Sequence, residues 1–296
     1  MVKVASIENK YLKVSINLNG GSLTSIIDKS NDRELFYQVD SRSWTSQDVV
    51  IFPLIARIKN GKYTVNDKEF SLKSHGIARY STFEIKEQTK ESITIKLLYN
   101  EETLKVYPFK FELDVIYTLK DHVLEITKEV NNLDDKDIYF YLGSHPALKV
   151  SGYETEKSFN FKDVYIDFGK PIKTYRYILN DDGSLLTGKK KEITLTRLAI
   201  TKEFINEFKT IILDAKNIFE VNLYTKDYHY KFSIGNNPIL AIWSKPGFGD
   251  FLCIEPWDGI TDFENGPSEI SKKMLINKLS TNCFYKNTFT IEFIKN

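Results

Sequence analysis

The chain has 296 residues, with 41 Lys+Arg against 40 Asp+Glu, a formal net charge of +1. It therefore lacks the positive field of a protein built to neutralise nucleic-acid phosphates. Hydrophobic residues at 42% and charged residues at 27% supply a sizeable core and exclude a disordered or collagen-like chain. The 17 Tyr and 20 Phe beside 2 Met favour pleated strands over a helical bundle.

The first segment, Met1 to Lys10, has no basic stretch leading into an apolar run, and no later stretch approaches the ~18 apolar residues of a membrane helix. The expected address is the cytoplasm. From Leu12 the chain alternates Leu12, Val14, Ile16, Leu18 against Lys13, Ser15 and Asn17, a strand closed by Gly20-Gly21. Between Ser41 and Ser74 aromatics and turn residues mix without long alternation, which predicts extended loops over one end of the sheets, a common place for a binding site. Alternation returns at Ile93 to Tyr99 and Phe109 to Leu119, and Asp121-His122 turns the chain into Val123 to Val130.

Further strands are predicted at Ser158 to Phe168, Ile218 to Tyr224, Tyr228 to Ile234, Ile239 to Trp243 and Thr288 to Phe293. Helix is expected only at Lys202 to Phe208 and in a short turn over Ser268 to Met274 capped by Ser268. With no linker, low-complexity tract or repeat, the pattern predicts one all-β domain over 1–296, built as a large antiparallel sandwich.

Chemistry rests on few residues. Cys253 and Cys283 are too few for a disulfide framework and lack the paired spacing of a zinc site. No phosphate loop, His-Glu-x-x-His or Gly-x-Ser-x-Gly is present, which leaves acid–base chemistry without a metal. Of the four histidines, His122 reads as a hairpin-turn residue and His229 as a half-exposed strand residue. His145, before Pro146, is pushed into an extended conformation. Glu255 follows the apolar run Phe251 to Ile254, and a carboxylate there is costly to bury unless paired or functional. Each has a structural alternative, a hydrogen-bonded turn for His145 and a buried ion pair for Glu255. Gly76 beside His75 permits a close approach, and Arg57 ends the apolar run Ile51 to Ala56.

Taken together, Asn19-Gly20-Gly21-Ser22-Leu23, Phe52-Pro53 to Arg57 with Asn60-Gly61-Lys62-Tyr63, His75-Gly76-Ile77-Ala78-Arg79, Tyr107-Pro108-Phe109, Gly143-Ser144-His145-Pro146-Ala147 and Cys253 to Gly259 resemble the aldose 1-epimerase (galactose mutarotase-like) family. The nearest branch is that of LacX-type proteins and hexose-6-phosphate epimerases. The resemblance implies a large β-sandwich with a sugar cleft and cofactor-free interconversion of aldose anomers. It makes the residue matching Glu255 the base on the anomeric hydroxyl and that matching His145 the acid on the ring oxygen. His75, Arg57 and, on a shorter motif, Asp214 would contact sugar oxygens, and Trp257 would face the pyranose. Arg79, with Lys59 or Lys73, would meet a phosphate if the hexose carries one. Ser144 and Ile77 depart from aromatics frequent in relatives, which implies a differently shaped cleft.

Neither nucleic acid nor membrane is an expected partner, and a homodimer is compatible with open sheet edges. A non-catalytic carbohydrate-binding sandwich uses the same kind of cleft. Catalysis would require His145 and Glu255 to face one another, expected here across a space about as wide as a sugar ring.

Overall fold

A computed structural model describes residues 3–150, 164–208, 210–246 and 250–296. The first alternating segment forms a four-stranded antiparallel sheet of Val4–Glu8, Leu12–Asn17, Ser22–Asp28 and Arg33–Glu34. Leu12, Val14 and Ile16 point inward and are fully buried, while Lys13 faces solvent, so the period of two becomes the two faces of the strand.

Most of the remaining strands join one sheet of 15 strands among the described residues. Its longest regular hairpin pairs Phe111–Lys120 with Val123–Asn132 in continuous register, Lys120 against Val123. Asp121 takes φ 51° in the connecting turn, and the His122 ring lies 4.0 Å from that of Tyr11, as suits a turn residue. His229 likewise occupies the strand Tyr228–Ser233, bonded through Nε2 to Asn222 Oδ1 at 2.7 Å and stacked on Tyr224.

The structure corrects several expectations. Within the segment read as loops, Lys62–Val65 and Lys68–Ser71 form a hairpin, its two-residue turn made by Asn66 (φ 49°) and Asp67 (φ 66°), residue types that tolerate the left-handed region. A helix at Glu101–Val106 escaped the periodicity because it is under two turns long; it is held by a reciprocal cap in which Thr103 N–H donates to Asn100 Oδ1 and Asn100 N–H to Thr103 Oγ1. The turn expected to start at Ser268 is a 3₁₀ turn at Ile270–Lys272 with no side-chain cap. Glu269, which is extended, precedes it instead, and the Ser268 carbonyl accepts the Thr64 N–H at 2.9 Å. The helix Lys202–Phe208 is present. Of the strand expected from Ser158, residues 158–163 lie outside the described residues, and the strand Tyr165–Leu179 continues well past Phe168 to pair with Leu186–Ala199.

Five neighbouring strands carry the site. Val50–Ile51, Leu142–Ser144, Phe251–Asp258, Ile239–Trp243 and Thr210–Asp214 lie side by side in that order, all antiparallel, with Ala147–Lys149 also pairing Phe251–Asp258. Every residue of Phe251–Asp258 is buried, so this strand is covered on both faces rather than one. A carboxylate at its centre is therefore inside the protein, not on its rim.

Candidate active site

Register decides which side chains meet. Leu142 pairs with Asp258 and Gly143 with Trp257, while Ala147 pairs with Cys253 and Leu148 with Leu252. Both short strands share one register with Phe251–Asp258, and the gap between them, opened by Pro146, leaves His145 opposite Glu255. On the other side Ala241 pairs with Glu255, Ile239 with Trp257 and Trp243 with Cys253. Because side chains alternate across a strand, Cys253, Glu255 and Trp257 share one face with His145. Gly143 serves this packing, since a Cβ there would stand 3.1 Å from both Trp257 Cδ1 and Ile51 Cδ1.

His145 Nε2 lies 3.5 Å from Glu255 Oε1, and Trp257 Nε1–H donates to Glu255 Oε2 at 3.2 Å. The pair forms the floor of a cleft of about 200 Å³ lined by Trp44, Ala56, His75, Arg79, His145, Thr210, Trp243, Glu255 and Trp257. Trp44 stacks on His145 with ring centroids 4.8 Å apart, and Trp243 and His75 meet it edge-on at 5.3 and 5.5 Å. All 3 tryptophans of the chain line this cleft. Trp44 and Trp243 were missed in the sequence reading; their rarity was the signal that could have singled them out.

Burial depresses His145 well below the ordinary imidazole range, with the neighbouring His75 acting in the same direction. Burial also lifts Glu255 well above the usual carboxylate range; the Trp257 N–H opposes this and the negative charge of Asp48 adds to it. Both groups are thus pushed toward neutrality. His75 is driven down to about 3 by burial and by the Arg79 charge. Its backbone sits at φ 65°, and Gly76 follows at φ 80° with its Cα against the Phe52 carbonyl, where a Cβ would come within 2.1 Å of the oxygen. The glycine lets the His75 turn press onto the chain at Phe52.

Beneath the pair is a second set of buried charges. Asp48 accepts the backbone N–H of Leu23 at 3.0 Å and of Val49 at 2.8 Å, and the His145 backbone amide also faces it. Lys128, 3% exposed, donates to Ser144 Oγ, and burial pulls it down to about 8 against the attraction of Asp48 and Asp258. Ser144 is therefore a buried support under His145 rather than part of the cleft wall. Ile77 is buried beside a separate apolar hollow of about 440 Å³, lined also by Leu72, Tyr80 and Val106. That hollow is larger than the cleft, and the charged residues lining it are Lys73 and Glu102.

The other expected site residues divide. His75, Arg79 and Trp257 line the cleft. Arg57 is exposed and is not a lining residue; its neighbour Ala56 is, and its charge is felt by Asp182. Asp214 stands in the register row Asp214–Ile239–Trp257, two strands and roughly 10 Å from Trp257. It lies outside the lining, with Oδ1 accepting the Lys216 N–H at 3.0 Å. Lys59 also lies outside it, its backbone N–H donating to Asp262 Oδ2 at 3.1 Å. Lys73 and Arg79 both stand over the Tyr80 ring, each 5.1 Å from its centroid. The gap between acid and base is far narrower than a sugar ring.

Among the described residues no helix is long and apolar enough to cross a membrane. Residues 3–266 match the family described as aldose 1-epimerase. The chain is 27% identical over 282 residues to the chromosomal protein LacX of Lactococcus lactis, covering 88% of this chain and 89% of that protein. It superposes on a galactose mutarotase related enzyme from Lactobacillus acidophilus with a TM-score of 0.92 and 31% identity, over 98% of this chain and 97% of that one. A galactose mutarotase-like protein from Lactobacillus casei gives 0.91 and 26%, over 98% and 100%.

Proposed function

Since the chain belongs to the aldose 1-epimerase family, whose members are sugar isomerases of antiparallel β-sandwich fold, we propose that it interconverts the α and β anomers of a hexose at His145 and Glu255. The observation that carries this reading is the buried pair itself, 3.5 Å apart at the floor of an aromatic-walled cleft. A binding module needs aromatic walls and polar clamps but no facing acid and base, which favours the enzyme over a carbohydrate-binding sandwich.

The Glu255 carboxylate takes the proton of the C1 hydroxyl, O1 becomes a carbonyl oxygen, the C1–O5 bond breaks, and O5 takes a proton from His145. Rotation about C1–C2 presents the other carbonyl face, and the reverse transfers close the ring as the other anomer. The pair gains one proton and loses one in each half-reaction, so its count is unchanged. Burial favours the neutral form of each group, whereas sugar hydroxyls donating to the carboxylate favour the ion-paired form that the reaction uses. His75 and Arg79 hold sugar oxygens, and Trp44, Trp243 and Trp257 cover the apolar faces of the ring. Arg57 and Asp214 act, if at all, from outside the lining. The whole chain, 1–296, works as one cytoplasmic domain.

A hexose 6-phosphate is the second substrate reading, supported by Arg79, which lines the cleft and shares the Tyr80 ring with Lys73. Anomer equilibration of freshly dissolved α-galactose, α-glucose and glucose 6-phosphate, followed by NMR, tests both readings. The protein accelerates at least one, the most accelerated identifies the substrate class, and Glu255→Gln lowers the rate by about 10²–10⁴. Sugar binding without acceleration would return the chain to the carbohydrate-binding reading.

A further inference from the structure

The strand that delivers Glu255 also delivers a thiol. Cys253 lies two residues earlier on the same face, is fully buried, and is one of the chain's two free cysteines. The sequence spacing gives no hint of a metal site, because the third ligand comes from the gap between two other strands, 108 residues earlier than Cys253. The side-chain ligand atoms of His145, Cys253 and Glu255 all lie within 4.8 Å of one another. We infer that these three residues form a binding site for a thiophilic divalent cation, Zn²⁺ or Cd²⁺, and that its occupation shuts off the anomer exchange; the second clause rests on the epimerase reading, the first does not.

The donor set is a nitrogen, a sulfur and an oxygen, which selects Zn²⁺-like ions over Mg²⁺ or Ca²⁺. Tetrahedral zinc with ordinary bond lengths places its ligand atoms about 3.3–3.6 Å apart. The His145 to Glu255 separation of 3.5 Å already meets that distance, and the thiol needs a movement of about 1 Å. The fourth position faces the cleft, because His145 and Glu255 line it. Asp48, buried behind the strand, puts its negative charge on both Cys253 and Glu255, which favours a cation between them. Binding displaces two protons to solvent, that of the thiol and the one carried by the His145–Glu255 pair, since the ligating forms are thiolate, carboxylate and neutral imidazole. The bound ion then occupies the lone pairs that the acid and base use, so metal and sugar exclude one another, reciprocally.

The test uses the full chain carrying Cys283→Ser, which removes the exposed thiol and leaves Cys253 as the reporter. Titration with Cd²⁺ alone, followed by the ultraviolet thiolate-to-cadmium band, should saturate at one ion per chain. The band should vanish when Cys253→Ala is added, and need at least tenfold more Cd²⁺ when Glu255→Gln is added instead. In the NMR assay Zn²⁺ should inhibit the Cys283→Ser protein, a chelator should restore the rate, and Cys253→Ala should keep its rate while needing at least tenfold more Zn²⁺ for inhibition. Absence of the band, or a band unaffected by Glu255→Gln, overturns the site. A normal band with undiminished mutarotation at saturating Zn²⁺ overturns the shut-off, as does equal zinc inhibition of Cys253→Ala. If the chelated protein accelerates no sugar, the epimerase reading fails, and the band still decides the metal site on its own.

Discussion

Replacing His75 with Asn should flatten the acid limb of the stability curve. Asn accepts the φ of 65° at this position better than other polar side chains, so the backbone turn is preserved. In the folded protein His75 is held at about 3, against 6.5 for an unperturbed imidazole, because its Nδ1 is sealed without a partner and Arg79 stands nearby. The unfolded chain therefore binds a proton below pH 6.5 that the folded chain refuses until about pH 3. Stability is full above pH 6.5 and falls as the pH drops through that window.

At about 1.36 kcal/mol per pH unit, the loss reaches a ceiling of about 2.7 kcal/mol at pH 4.5. Part of the His75 ring remains open to the cleft, so solvent reduces this to about 1–2 kcal/mol. Urea unfolding of the wild type and His75→Asn at pH 7.5, 6.5, 5.5 and 4.5 measures the difference directly. The gap between the two curves should shift by that amount in favour of the variant on acidification. His145 is common to both proteins, and removal of its His75 neighbour relaxes its own depression, which acts in the same direction. Parallel curves, or a wild type that loses less than the variant, would refute the reasoning.

Gly76→Ala forces a Cβ to 2.1 Å from the Phe52 carbonyl oxygen at a φ of 80°, so it should destabilise the fold by about 3 kcal/mol or more, read as a fall in urea midpoint. Trp257→Phe removes the N–H that donates to Glu255 Oε2 and leaves a buried carboxyl with one donor fewer. A charge-assisted hydrogen bond of about 1.5–3 kcal/mol predicts a rate about 10–150-fold lower in the anomer assay, with cooperative unfolding retained.

The strands around Leu12, Ile93, Phe109 and Val123 were legible because a period of two is a local property, visible wherever one face is apolar and the other polar. The hairpin arm Leu186–Ala199 was not, because it is exposed along most of its length and its Lys189-Lys190-Lys191 run shows no alternation. The turn at Asn66-Asp67 had a local signal, two residues that accept positive φ, but short flanking strands obscured it.

For the site, the residues of the chemistry were legible and their relations were not. Pro146 and the apolar run before Glu255 mark His145 and Glu255 locally, and the four histidines could be sorted by their flanks. That His145 stands opposite Glu255, and not one pair away against Cys253 or Trp257, is a matter of register between strands more than a hundred residues apart, and a slip of one residue would turn the carboxyl to the opposite face. The same register sets Trp243 and a thiol beside the pair, while Trp44 reaches it from a loop and Arg57 and Asp214 stay outside the cleft lining. Sequence by itself determined which segments are strands and which residues have the chemistry, since both follow from neighbours along the chain. Tertiary structure alone decided which of them meet and how burial sets their charge, because distance and desolvation depend on residues that the chain order keeps far apart.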